Sequence, residues 1–279
     1  MLYLVLFTNQ MIEANQPIGI FDSGIGGLTV AYAVRQALPN EQIIYFGDTA
    51  HLPYGDKSTA AIQAYSVKIC DVLLKQNCKV ILIACNSASA AAYELVKAYV
   101  GTKATVMNVI DPVIQYLAAH HNGTRVGLIG TRRTISSNIY KKRVDELNLH
   151  IDLQSMATPL LAPMIEEGFF NNTIKTVLVN EYLSSEKLKG IQSLILGCTH
   201  YPLIKKEIDA FYEGKVQVID SSEIVALALK QLLTEKGWLN TEPKPVDKFF
   251  VSDFTRSFVE STNIFFRQKV QLEYYPIWE

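Results

Sequence analysis

The chain has almost no net charge, few cysteines, no basic block and no long apolar run, and each absence removes a class of function. Lysine and arginine number 26 against 27 aspartates and glutamates, a formal net charge of −1. Without a polybasic block, the electrostatic footprint of a nucleic-acid binder or of a protein that docks on anionic membranes is missing. The expected partner is therefore a small molecule, with no nucleic acid and no membrane. The apolar opening "MLYLVLFTNQM" (1–11) has no basic leader, a short apolar run and no small-residue cleavage site after it, and reads as a ragged start. No other uncharged apolar stretch is long enough for a transmembrane span. Four cysteines in 279 residues do not make a disulfide framework, so the expected compartment is the reducing cytoplasm. No CxxC or HxxxH spacing supplies a tetrahedral shell, and no metal is expected. "DSGIGG" (22–27) lacks the third glycine of a dinucleotide fingerprint and the Lys-Ser/Thr of a phosphate loop, so nucleotide binding has weak support.

What is present is an alternation. With 49% apolar and 19% charged residues, the chain can bury the core of one large or two smaller domains. Short β-branched runs at 18–22, 42–48, 79–85, 105–110, 125–131, 193–198 and 216–220 read as strands of a parallel sheet covered on both faces. Between them "AAIQAYSVKICDVLLKQ", "SSNIYKKRVDELN" and "SEIVALALKQLLTEKG" carry apolar residues at helical spacing, the last stopping at Gly237. The class is α/β. Ligands of such sheets bind beyond the carboxyl ends of the strands, where "DSGIGG", "GDTAHLPYG", "ACNSAS", "GTRRT" and "GCTHYP" all fall.

A second regularity is internal. "IGIFDSG" and "VGLIGTR" share a strand with a glycine in second place and a hydroxyl side chain just past its end, whereas "ILIACNS" and "LILGCTH" share a strand followed by cysteine. Ser23 to Cys85 spans about 62 positions and Thr131 to Cys198 about 67, the spacing of a diverged duplication. Two such halves facing one another set Cys85 and Cys198 on opposite walls of one cleft. A strand-end cysteine by itself is more often packing than chemistry, and Cys70 and Cys78 fit that role. For Cys85 and Cys198 the paired context and polar neighbours favour chemistry. A Cys–His hydrolase built on Cys198 and His200 leaves Cys85 unexplained. A two-lobed binding protein leaves both unexplained.

The motifs "IGIFDSGIGGLTV", "YFGDTAHLPYG", "IACNSASA", "GLIGTRRTI", "PLLAPMIEEG" and "LGCTHYPLI" run the length of the chain in an order that resembles the glutamate racemases of bacterial cell-wall synthesis. Related aspartate and hydantoin racemases share the paired cysteines, so aspartate racemisation is the alternative. The resemblance implies cofactor-independent interconversion of L- and D-glutamate, supplying D-glutamate for peptidoglycan, by two cysteines that exchange the α-proton. It implies two pseudo-symmetric α/β domains with the active site in the cleft between them: residues 1–108 plus 220–279, and residues 109–219. It also implies a homodimer. Cys85 then serves the D-glutamate face and Cys198 the L-glutamate face, with Asp22 and His200 assisting.

The residue types suit that chemistry. A base and an acid must flank the carbon whose proton is exchanged, and cysteine can be either. Both thiols stand where a strand is expected to give way to a helix, whose N-terminal amides favour an anion. A small dianionic amino acid needs many short donors. Ser23, Tyr54, Gly55, Asn86, Ser87, Thr199 and His200 are placed around it, with Asp22 in the same family pattern. Thr131 and Thr134 are assigned to the side-chain carboxylate. Asp48 and Glu166 are equally readable as site residues or as surface or capping carboxylates. His51, His120, His121 and His150 read as loop or surface residues.

Overall fold

The continuous β-branched and aromatic runs become strands, and in the computed structural model, which describes residues 12–167, 173–254, 262, 264–266 and 270–279, these lie in two parallel sheets. The first part of the chain forms β1 (Ile18–Asp22), α1 (Leu28–Ala37), β2 (Ile43–Gly47), α2 (Thr59–Lys75), β3 (Val80–Ile83), α3 (Asn86–Val100), β4 (Thr105–Asn108) and α4 (Ile110–His120). There follow β5 (Arg125–Gly130), α5 (Arg132–Ser136), α6 (Ile139–Glu146), β6 (Asp152–Ala157), α7 (Leu161–Glu166), α8 (Thr173–Leu183), β7 (Ser193–Gly197), α9 (Lys205–Tyr212) and β8 (Gln217–Ile219). The chain closes with α10 (Ser221–Glu235), β9 (Lys248–Val251) and β10 (Leu272–Tyr274). Residues 1–11, read from sequence as a ragged start, lie outside the described part.

The sheet orders explain the internal similarity. One sheet runs β10-β9-β2-β1-β3-β4 and the other β6-β5-β7-β8, all neighbours parallel. Within them β2-β1-β3-β4 and β6-β5-β7-β8 are the same arrangement, so β1 corresponds to β5 and β3 to β7. Cys85 and Cys198 therefore follow equivalent strands. Strands β1, β2, β3 and β7 are buried at every residue, as a sheet covered on both faces requires. The first sheet is completed by β9 and β10 from the end of the chain.

Three strands were not expected. In β6 the polar residues Asp152, Gln154 and Ser155 break the apolar run, because β6 borders a sheet and is mostly half-buried. The short β9 and β10 carry too few residues for a periodicity to register. The helical pattern expected at "SSNIYKKRVDELN" (136–148) is α6, separated from the short α5 before it at Asn138, which adopts φ +56 in the left-handed region that asparagine tolerates better than most residues. Helix α10 stops as its sequence indicates, with Gly237 at φ +66 just beyond it. Among the described residues no helix is long and apolar enough to cross a membrane.

At the strand ends remote from the thiols, one ion pair is sealed from solvent. Lys79 Nζ, at the start of β3, lies 2.6 Å from Glu41 Oε2, with side-chain exposures of 0% and 2%. The ammonium also donates to the carbonyls of Ala14 and, at 2.8 Å, Trp238. Glu41 Oε1 accepts the Asn240 amide at 2.8 Å. The pair thus ties the segment after α10 beneath the first sheet. Removing one partner leaves an uncompensated buried charge, so Lys79→Ala is expected to cost about 3–5 kcal/mol of stability in urea unfolding. An unchanged unfolding midpoint would contradict this.

Candidate active site

Loops following β1, β2, β3, β5 and β7 meet between the two sheets and, with α7, enclose a cavity of about 30 Å³. Its lining holds Ser23, Pro53, Tyr54, Gly55, Cys85, Asn86, Ser87, Thr131, Ala162, Glu166, Cys198, Thr199 and His200. Larger hollows exist, among them one of about 360 Å³ beside α1 and α10, but that one contains neither thiol. The small enclosed cavity is where the chemistry-bearing residues converge.

Each thiol has its own surroundings. Cys85 is 6% exposed and caps α3, accepting the Ala88 amide at 3.4 Å, and its Sγ lies 3.7 Å from Ser23 Oγ as donor. Cys198 is equally buried, and its Sγ lies 3.6 Å from His200 Nδ1. His200 Nε2 donates in turn to Glu166 Oε1 at 2.8 Å, and the ring stands edge-on against Phe265. Burial works against a charged His200, but the Glu166 carboxylate and the Cys198 sulfur hold its pKa well above the ordinary histidine value.

The expectation that both thiols sit at helix N-termini holds for Cys85 alone. Cys198 is followed by a four-residue 3-10 turn, Tyr201–Ile204, before α9 begins. The imidazole of His200, rather than helix amides, stands beside this sulfur. Nor is the Cys85 thiol lowered: burial first, then the Asp22 carboxylate, pushes it up to about 12, against the help of the Ala88 amide and Ser23. Desolvation outweighs the helix terminus.

Asp22 and Thr134, expected at the substrate, do not line the cavity. Asp22 is fully buried one layer behind, where its oxygens accept the Gly24 amide at 3.0 Å and Thr199 Oγ1 at 3.3 Å. Burial raises its pKa, opposed by His200 and the Gly24 and Gly27 amides. Thr134 Oγ1 stands 3.2 Å behind Thr131 Oγ1 and 3.5 Å from Ser87 Oγ, and Ser87 and Thr131 are 2.9 Å apart. Asn86 Oδ1 accepts the Tyr140 hydroxyl at 2.8 Å, whereas its Nδ2 has no acceptor among the described residues.

Glu166, at the end of α7, belongs to the site. Asp48 is fully buried behind Tyr54, neither on the surface nor in the cavity lining. His120 and His150 are exposed and His51 lies half-buried in the connection after β2, as expected, but His121 is buried. His51 is stacked on Tyr65 with ring centroids 4.0 Å apart and bonded to Asp48, and His121 is buried at the end of α4. Pro53 and Ala162 were missed, since nothing in an apolar residue's type announces that it faces a ligand. Cys70 and Cys78 are buried, with their thiols pushed up by burial, consistent with packing.

The two halves touch closely at Gly26. A Cβ there would fall 2.5 Å from His200 Nδ1 and 2.6 Å from Thr199 Oγ1, so only glycine lets the loops meet. Thr29 Oγ1 lies 2.9 Å from both the Gly26 and the Thr199 carbonyl, and bridges them.

Comparison with known proteins supplies independent information. The family model for Asp/Glu/hydantoin racemases matches residues 29–229. The chain is 41% identical over 255 residues to the glutamate racemase of Chlorobaculum parvum, covering 91% of this chain and 93% of that one. Its fold is similar to the crystal structure of glutamate racemase from Francisella tularensis in complex with D-glutamate, with TM-score 0.88 and 40% identity over 95% of this chain and 99% of that one. A glutamate racemase isoform from Bacillus anthracis gives TM-score 0.88 at 32% identity, over 94% of this chain and 98% of that one.

The state of Cys85 is directly testable. At pH 8 a thiol at about 12 carries roughly a thousandth of the thiolate held by one at the ordinary 9.0. Iodoacetamide labelling of Cys85, followed by mass spectrometry, is therefore expected to be slow at pH 8 and still rising at pH 10. A labelling midpoint at or below pH 9 would contradict the burial argument.

Proposed function

The chain belongs to the Asp/Glu/hydantoin racemase family, and from that premise we propose that it interconverts L- and D-glutamate by proton exchange between two cysteines. The observation that carries this reading is the pair of thiols, Cys85 and Cys198, on the lining of one enclosed cavity at the ends of equivalent strands. Each has a separate proton partner, Ser23 for one and His200 with Glu166 for the other. A single thiol cannot serve two faces of a carbon.

In the proposed step, Cys198 as thiolate removes the α-proton of L-glutamate while Cys85 as thiol delivers its proton to the opposite face. The reverse direction exchanges the roles. The atoms balance between the two sulfurs and Cα. The Cys85 thiolate must be generated against desolvation, and the substrate's ammonium is a cation brought close to it, which favours the ionised form. His200 and Glu166 assist at Cys198. Asp22 acts through the loops that carry Ser23 and Thr199. Asn86 Nδ2, Ser87 and Thr131 are available donors for the carboxylates, with Thr134 supporting Thr131.

A cavity of about 30 Å³ holds little more than a water or two, so glutamate binding requires the walls to part. Arg133, whose Nε donates to the Lys57 carbonyl at 3.0 Å, and an Arg132–Asp56 ion pair at 3.3 Å join α5 to the connection after β2. The proposed moving units are residues 1–108 plus 220–279 and residues 109–219. We also infer a cytoplasmic homodimer that supplies D-glutamate for peptidoglycan, as family membership and four unpaired thiols among the described residues favour.

Purified protein mixed with L-glutamate and no added cofactor is expected to drive the circular dichroism signal to zero. Cys85→Ala and Cys198→Ala should each lower that rate by roughly 100- to 10,000-fold, the usual worth of a positioned acid or base, with the fold intact by far-ultraviolet circular dichroism. Full activity in either variant contradicts the two-thiol reading. Comparable rates with aspartate would move the protein to the sister activity.

A further inference from the structure

Burying a carboxylate is costly unless hydrogen bonds satisfy it, and Asp48, 0% exposed just beyond β2, is surrounded by donors. Its Oδ2 accepts the Tyr54 hydroxyl at 2.6 Å and His51 Nδ1 at 3.0 Å. Its Oδ1 accepts Ser252 Oγ at 2.7 Å and Trp278 Nε1 at 2.8 Å. These donors come from three separate stretches: the loop after β2, the residue after β9, and the tail after β10. Ser252 Oγ also accepts the Ala50 amide at 3.0 Å, and Thr49 Oγ1 donates to the Asp253 carbonyl at 2.6 Å, so the loop is fastened to the end of β9 on both sides of the carboxylate. The outer side is closed by aromatic packing. Trp278 stands edge-on to His51 and Tyr65, with ring centroids 4.5 and 5.3 Å away.

Stability alone does not account for this choice of residue, because an apolar cluster of similar volume serves a core as well as a buried ionic group does. What distinguishes the hub is the destination of one donor. Tyr54 is 1% exposed and lines the cavity that holds both thiols. Its hydroxyl is turned away from that cavity to Asp48, which fixes the ring and the Tyr54–Gly55 turn. Gly55 in turn packs against Thr131 of the second half, where a Cβ would come within 3.0 Å of the threonine Cβ.

We propose that Asp48 is a positioning residue that sets the Tyr54–Gly55 turn against the substrate, and that Trp278, near the chain end, acts on the active site through it. The inference rests on the racemase reading of the cavity. It makes substrate affinity depend on a contact that touches no substrate atom.

The test is steady-state kinetics in both directions, with D-glutamate binding measured by calorimetry, on wild type, Asp48→Asn, Tyr54→Phe, Trp278→Phe and the Asp48→Asn/Tyr54→Phe double variant. Losing a hydrogen bond to a buried carboxylate is expected to raise KM and Kd about tenfold in Asp48→Asn and in Tyr54→Phe, with kcat changed by less than about threefold. The double variant should be no worse than the worse single, since both changes break one contact. Trp278→Phe keeps the aromatic packing and should raise KM about threefold. Lowered melting temperatures with KM and Kd unchanged, or additive effects in the double variant, overturn the proposal. If Asp48→Asn fails to fold, Tyr54→Phe and Trp278→Phe decide it. A wild-type protein that binds D-glutamate without racemising it defeats the racemase reading, while the Kd series still judges the positioning role.

Discussion

A proton donor can serve only the face of a carbon that it points at, so the proposed two-thiol exchange requires the fold to hold two strand ends opposite one another at a separation that closes on one substrate. The close approach at Gly26 is how it does so. Missing one side chain there lets the loop after β1 settle on Thr199 and His200, which lead away from Cys198. Thr29 bridges the two loops by its hydroxyl, and Asp22 accepts Thr199 from beneath. The position of each thiol is thus referred to the other half of the molecule. Packed interfaces of this kind respond to displacement by changing arrangement rather than by deforming gradually, and a misplacement near 1 Å can cost a reaction about a hundredfold.

The equivalence of β1-β3 and β5-β7 gives the two thiols the same place in each sheet without giving them the same chemistry. Cys85 has a helix N-terminus and a serine hydroxyl beside it, and burial keeps it protonated. Cys198 has an imidazole held by a carboxylate, a partner able to carry a proton itself. Such an asymmetry fits a reaction whose two directions use opposite thiols as base. At Cys85 desolvation favours the neutral thiol, whereas Cys198 has beside it an imidazole whose pKa Glu166 and the sulfur hold well above the ordinary value.

Much of this was legible in the order of residues. The buried strands announced themselves as unbroken apolar runs, and the paired cysteines stood at the ends of matching strands. Glu166 was harder to read, because a lone carboxylate on a short helix looks the same in sequence whether it faces water or an imidazole. The helix expected after Cys198 was a 3-10 turn, a distinction of hydrogen-bond spacing that apolar periodicity does not encode over four residues. Asp48 shows the deeper limit. Its partners Ser252 and Trp278 lie 204 and 230 positions away, and only the folded sheet brings β9 and the tail beside β2.

The central claim is that different groups attend the two faces of Cα. It is tested most directly by running the reaction on L-glutamate in deuterium oxide, stopping at low conversion, and measuring Cα deuterium in product and in recovered substrate by mass spectrometry. Two thiols predict D-glutamate that is almost fully deuterated, beside recovered L-glutamate that still carries protium. Substantial protium carried through into the D-glutamate would mean that one group removes and returns the same proton, and would contradict the account.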